Sequence, residues 1–334
     1  MDYSPRICHN NMMDATPRSS AYRGGDFTAW QESARKKLTG LLGLPFEIPS
    51  DDGFIIEWEK EHEDFHEIRF SFKSEKDVWV CAHLLLPHEI IKPLPLMLCL
   101  QGHSTGMHIS LGRVKYERDI KSISQGDRDF ALQAVKHQYA ALALEQRSFG
   151  ERHGLPVGPA CASVAMPALL VGRTLIGERV WDISRTIDII EKYFTQIDAQ
   201  RIGAVGNSGG GTAIIYAAAL ETRIAAAMPS CSLCSYKLSI TAMHHCVCNY
   251  IPGIANEFDM GDICGLIAPR PLVIVNGRED DIFPIEGAKA EFERLSHLYS
   301  IAGSPEACCH VIGDGGHRFY ADAAWPVFNE LTKL

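Results

Sequence analysis

Gly206-Asn207-Ser208-Gly209-Gly210 reads G-x-S-x-G. A serine hydroxyl is a weak nucleophile until a base takes its proton and a turn presents it to a substrate. The flanks of this motif supply such a turn. Arg201 to Val205 is an apolar, β-like run, and Thr212 to Leu220 is helix-like. Ser208 therefore falls on a sharp strand-to-helix corner, where the backbone is strained and the hydroxyl stands clear of the sheet. The glycines leave room for the corner and for a close-lying acyl group. A glycine-rich turn that caps a helix is the alternative for Ser208 taken alone.

A base and an acid follow in the chain order that such a fold requires, Ser, then acid, then His. Pro271 to Asn276 is a short apolar run of the kind found in buried parallel strands, and it ends in the acidic loop Gly277-Arg278-Glu279-Asp280-Asp281. Cys308 to Ile312 is a second β-like run, ending in Gly313-Asp314-Gly315-Gly316-His317 before a helix-like tail from Phe319 to Leu334. Asp280 and His317 thus lie beyond strand C-termini, where open α/β sheets build their sites. The expected roles are Ser208 as nucleophile, His317 as base and Asp280 as the group that orients the imidazole. Each alone has a plainer reading, a loop histidine or a surface turn.

These pieces resemble α/β-hydrolases of the bacterial acetyl xylan esterase and dienelactone-hydrolase-like group. The matching residues are Gly206 to Gly211, Gly277 to Asp280 with Ile282-Phe283-Pro284, and Gly315-Gly316-His317-Arg318-Phe319. The resemblance spans roughly residues 50–334. It implies that the acid is Asp280 and not Asp281, because it sits three residues after a glycine and four before a proline. It also implies an oxyanion hole. Pro95 to Leu100 reads as a buried strand ending in Gln101-Gly102-His103, so the backbone N–H groups of His103 and Gly209 would face the developing oxyanion. Two departures are visible: Gln101 stands where a histidine is commoner, and Gly209 where the better-known xylan-acetate esterases carry glutamine.

The remaining elements must hold these groups in place. Phe27 to Leu42 is a predicted helix with Trp30, Ala34, Leu38 and Leu41/Leu42 on one face, stopped by Gly43-Leu44-Pro45. Ile68 to Lys73 alternates as an antiparallel strand with one wet face. Asp129–Lys136 reads as a helix, Tyr139–Leu144 as a strand, and Thr174–Phe194 as a long amphipathic helix ahead of the nucleophile strand. The expected architecture is an α/β-hydrolase fold. It has a mostly parallel central sheet, antiparallel N-terminal edge strands and helices on both faces. Residues 1–50 read as an arm and helix, the arm being suited to a neighbouring subunit in a homo-oligomer. Residues 51–334 read as one catalytic domain with long rim segments near 104–128, 153–172 and 232–262. Such connections set substrate choice. Gln101, Arg147, Tyr236, His244 and His245 are candidate substrate contacts, with Phe149, Trp181 and Met243 as further pocket candidates, although core packing is the plainer role for each. For Glu145 to Arg152 a structural ion-pair network is the favoured reading.

Composition limits the function classes. The chain has 334 residues, 46% hydrophobic and 22% charged, with a net charge of −9. That balance gives no electrostatic reason to expect nucleic acid or an anionic membrane. The N-terminus lacks a basic stretch followed by an apolar one, and a cytoplasmic location is expected. Eleven cysteines fit reduced, buried thiols. Cys231-x-x-Cys234 followed by His244-His245-Cys246-Val247-Cys248 has soft ligands at zinc-like spacing. Packed thiols are the favoured reading, so neither metal nor cofactor is expected. The expected reaction is hydrolysis of short acyl, chiefly acetyl, esters of a carbohydrate or similar polar alcohol. A serine peptidase or lactone hydrolase is the nearest rival, and a binding protein with a retained hydrolase fold the distant one.

Overall fold

The structure, a computed structural model, describes residues 3–90, 92–153 and 159–334. Two helices precede the sheet, α1 (Arg6–Ala15) and α2 (Phe27–Leu42). The Asp26 side chain accepts from Ala29 N–H to start α2, and Gly43 ends it in left-handed backbone. Ala34, Leu38 and Leu42 carry its apolar stripe into the main core. The sequence shows no periodicity for α1, and α1 buries no residue. It is tied down by polar contacts instead: Arg6 donates to the carbonyls of Thr241 and Ala242, and Asp14 pairs with Lys237 at 2.7 Å.

The rest of the chain runs β1 (Ile55–Glu61), β2 (Phe65–Glu75), β3 (Val78–Pro87), β4 (Leu94–Leu100), α3 (Glu117–Ser124), α4 (Phe130–Lys136), β5 (Ala140–Leu144), α5 (Cys161–Leu170), α6 (Leu175–Tyr193), β6 (Ile197–Asn207), α7 (Gly209–Leu220), β7 (Ile224–Ser230), α8 (Met260–Gly265), β8 (Leu272–Gly277), α9 (Ile285–Ile301), β9 (Cys308–Gly313) and α10 (Ala321–Thr332). The strands form one sheet in the order β1-β2-β3-β5-β4-β6-β7-β8-β9. β1, β2, β3 and β5 pair antiparallel, and every later pairing is parallel. The expected α/β-hydrolase architecture is borne out, down to the antiparallel edge.

β4 shows why the parallel strands read as unbroken apolar runs. Leu96, Leu98 and Leu100 enter one core with α6 and α7, while Met97 and Cys99 enter a second with α4 and α10. With successive side chains on opposite faces and both faces covered, no position is left for a polar residue. β2 departs from the expected wet face. Glu67 and Arg69 are buried there, Arg69 by a two-point pair with Glu151 and Glu67 by His83 and Arg113. Alternation marks a polar face, but charge pairing can cover it as fully as apolar packing does.

Candidate active site

Ser208 joins β6 to α7 with φ 54° and ψ −123°, the left-handed backbone expected of a nucleophile corner. Its neighbours explain the glycines. A Cβ at Gly210 would collide with the carbonyl of Leu100, and one at Gly206 would come 2.7 Å from the same oxygen. The corner is therefore pressed against the end of β4. A Cβ at Gly102 would lie 2.6 Å from Asn207 O and 2.9 Å from Ser208 Cβ, so the turn after β4 passes directly over the serine.

The acid and histidine loops lie side by side beyond β8 and β9. Arg278 N donates to Gly313 O at 2.9 Å and Glu279 N to Gly315 O at 2.7 Å. Gly277 is required because any Cβ there would strike the carbonyl of Gly316. His317 Nδ1 and Asp280 Oδ2 are 2.8 Å apart, and Asp280 Oδ1 accepts from Ile282 N (2.9 Å) and Phe283 N (3.0 Å). Burial raises the Asp280 carboxyl, but the hydrogen bond and charge of His317 and these two N–H groups outweigh it and leave the carboxyl below its usual range. Asp280 is buried and Asp281 exposed, in line with the choice between them. The Phe283 ring stacks on His317 at 5.9 Å and 14°, and Arg128 donates to His317 O at 3.3 Å. With Nδ1 committed to Asp280, Nε2 is the nitrogen left for a proton from Ser208. Ser208 Oγ makes no direct hydrogen bond to His317 among the described residues, a gap common before substrate arrives. The N–H groups of His103 and Gly209 have no acceptor among the described residues, and the His103 ring lies against Gly209.

The candidate substrate contacts separate. Gln101 is buried, its amide donating to Ser110 Oγ (2.7 Å) and Arg128 O (2.6 Å), so it ties loops together and faces no substrate. Arg147 is likewise corrected. It grips Asp182 through two 2.8 Å bonds and also reaches Glu75 and Glu178, the ion-pair network favoured for its segment. Tyr236 is buried in the main core with its hydroxyl on that of Tyr216. His244 is exposed in a groove shared with Arg6 and His9. His245 alone adjoins the site. Its ring meets Phe283 edge-on at 5.4 Å, its Nδ1 contacts Asn249 at 2.9 Å, and its buried Nε2 has no partner among the described residues. Burial, the largest cause, pushes its pKa down to about 4, so it is a neutral imidazole at working pH. Of the rim segment 153–172, positions 154–158 lie outside the described residues.

Sequence reasoning missed the far wall. A cleft of roughly 650 Å³ opens beside His317, lined by Arg118, Lys121, Arg128 and Arg318 together with Gln125 and Gly316. Four cations on one wall contrast with the net charge of −9. Only Arg318 lies in a motif in sequence, so no local signal assembles the set.

Comparison with known proteins bears on the fold. A sequence model of the Abhydrolase family matches residues 6–166, and one for glucuronyl esterase of fungi matches residues 175–235. A Bacillus subtilis (strain 168) chain named "Putative hydrolase YtaP" is 25% identical over 292 residues, covering 85% of this chain and 92% of its own length. A Bacteroides fragilis NCTC 9343 structure, a "putative acetyl xylan esterase", superposes with a TM-score of 0.77 at 18% identity, covering 100% of this chain and 91% of that one. A glucuronoyl esterase from Solibacter usitatus superposes with a TM-score of 0.71 at 15% identity, covering 96% and 98%. The protein has the α/β-hydrolase fold.

Proposed function

We propose that the protein is a serine ester hydrolase acting on a carbohydrate ester or the ester of a similar polar alcohol. The observation that carries this reading is the pair of a buried Asp280 and a half-buried His317 on the loops beside a Ser208 held in strained backbone. Ser208 Oγ attacks the ester carbonyl as His317 Nε2 takes its proton. Asp280 fixes the imidazole tautomer and stabilises the imidazolium. The new oxyanion sits against the N–H groups of His103 and Gly209, a stabilisation of ~3 kcal/mol per donor. Collapse breaks the bond to the alcohol, which leaves with the proton from His317. Water then attacks the acyl-serine, giving its proton to His317, and frees the acid and Ser208.

The cationic cleft beside His317 and the unpartnered His245 Nε2 favour a polar, hydrogen-bonding substrate over a long acyl chain. Activity should therefore fall from acetate through butyrate to octanoate in a matched nitrophenyl series, measured as kcat/KM. Better turnover of octanoate would leave a general esterase and remove the carbohydrate reading. A second reading puts the sugar on the acyl side, as a uronic acid ester. It is favoured by the fungal glucuronyl esterase match over residues 175–235, which include Ser208. Parallel assays on an acetylated sugar and on a uronic acid methyl ester decide between the two.

A further inference from the structure

The zinc-like spacing in the sequence joins Cys231 and Cys234 to Cys246 and Cys248, but the fold separates these pairs. Cys231 Sγ contacts the carbonyl of Arg318, and Cys234 Sγ that of Pro284. Cys246 and Cys248 instead meet Cys161, at the start of α5, and His103, in the turn over Ser208. The ligating atoms of these four residues all lie within 4.8 Å of one another. His103 Nε2 is 3.2 Å from Cys248 Sγ, which is 3.3 Å from Cys246 Sγ. A tetrahedral zinc with Zn–S of about 2.3 Å and Zn–N of about 2.0 Å has ligand–ligand edges of roughly 3.5–3.8 Å. The observed spread brackets those edges. We propose that His103, Cys161, Cys246 and Cys248 form a tetrahedral site for a thiophilic divalent cation, zinc by preference, which pins three rim segments together beside the nucleophile.

The surroundings fit that charge. Arg179 is 1% exposed and pairs with no carboxylate among the described residues. Its guanidinium donates to Cys161 Sγ at 3.4 Å and to Arg147 O at 3.0 Å, and lies 4.4 Å from the Phe149 ring centre. A buried cation without a counter-charge is costly. Three thiolates, one neutral imidazole and a divalent ion sum to −1, which Arg179 brings to zero. Asn249 Nδ2 points at Cys248 Sγ from 3.7 Å, and Phe149, Ala165 and Leu175 form the apolar shell. Such outer groups set the affinity and orientation of thiolate ligands. Through His103 the ion would hold the Gly102–His103 turn over Ser208, so the site organises the rim without entering the reaction. This goes beyond the esterase reading and does not depend on it.

The test is metal analysis of the whole chain purified without chelator or added metal. The expected result is about one zinc per chain. After stripping and reconstitution with cobalt, the chain should show intense tetrahedral d–d bands and a thiolate-to-cobalt charge-transfer band. Cys161→Ser and Cys248→Ser should lose most of the metal, while Cys234→Ser keeps it. If the serine variants do not fold, cobalt titration of the stripped native chain still decides. Ser208→Ala should bind metal as the native chain does, which separates failure of this site from failure of the esterase reading. Substoichiometric metal with no cobalt uptake would overturn the proposal. So would a disulfide among Cys161, Cys246 and Cys248 in peptides mapped from the freshly purified chain.

Discussion

The C-terminal parallel strands and the N-terminal antiparallel strands with their rim both bury carboxylates, and the N-terminal side adds arginine-held ion pairs to its imidazole pairs. Asp280, beyond β8, is paired with an imidazole. Asp182 on α6 is gripped by Arg147 and Arg152, and Arg69 on β2 by Glu151 and Glu57. A guanidinium stays charged at every working pH, so those pairs hold shape and move no proton. An imidazole gains and loses a proton near neutrality, so the same kind of carboxylate can support transfer. Glu67 with His83 and Asp119 with His108 are also buried carboxylate–imidazole pairs, so burial and a titratable partner do not by themselves mark a catalytic acid; the serine corner at Ser208 beside the Asp280–His317 pair does.

Breaking the imidazole side should cost activity and leave the fold. Ser208→Ala should lower kcat by roughly 10⁴ to 10⁶ with thermal unfolding unchanged, because members of such a set act as a unit. Retention of more than a few per cent of kcat would remove Ser208 from the role. Asp280→Asn should lower kcat by about 10⁴ through the wrong tautomer, whereas Asp281→Asn should change it less than about threefold, since Asp281 is exposed. A larger loss at 281 reverses the assignment.

The guanidinium side should behave oppositely. Asp182→Asn leaves Arg147 and Arg152 short of a buried counter-charge and should destabilise the fold by about 3 kcal/mol in urea unfolding. kcat per folded molecule should stay near that of the native chain. A loss of kcat at full stability would mean that this network reaches the chemistry. Glu67 offers the smallest and most specific effect. Burial raises its carboxyl, but hydrogen bonds from His83 and Arg113 and their charges outweigh this and hold it at about 2. On acidification the unfolded chain therefore takes up this proton first. The stabilisation from Glu67 is complete above about pH 4.5 and is lost as pH falls toward 2. Glu67→Gln should cost on the order of 2 kcal/mol at neutral pH and flatten the acid limb of the stability curve. An unchanged limb would show that Glu67 is not held in this way.

The same contrast explains what the sequence made legible. The strands that present Ser208, Asp280 and His317 carry short apolar runs, Ile202–Val205, Leu272–Val275 and Val311–Ile312, each followed within two residues by a glycine where the neighbouring backbone or ring packs too closely for a Cβ. Those features are local, so they survive in the sequence. Gln101, Arg147 and Tyr236 share the strand-end and rim positions, yet they point inward, and position along the chain carries no information about that direction. α1 was illegible because polar contacts hold it and no apolar stripe does. The His103–Cys248 contact joins residues 145 apart, and spacing within one segment paired the wrong cysteines.

The central claim is that Ser208 is a nucleophile activated by His317. The most direct measurement is reaction of the native chain with a fluorophosphonate, read by intact mass and peptide mapping. The account predicts one adduct per chain, on the peptide containing Ser208, with loss of esterase activity in step with labelling and no adduct on His317→Ala. Labelling elsewhere, or full activity retained after stoichiometric labelling of Ser208, would contradict it.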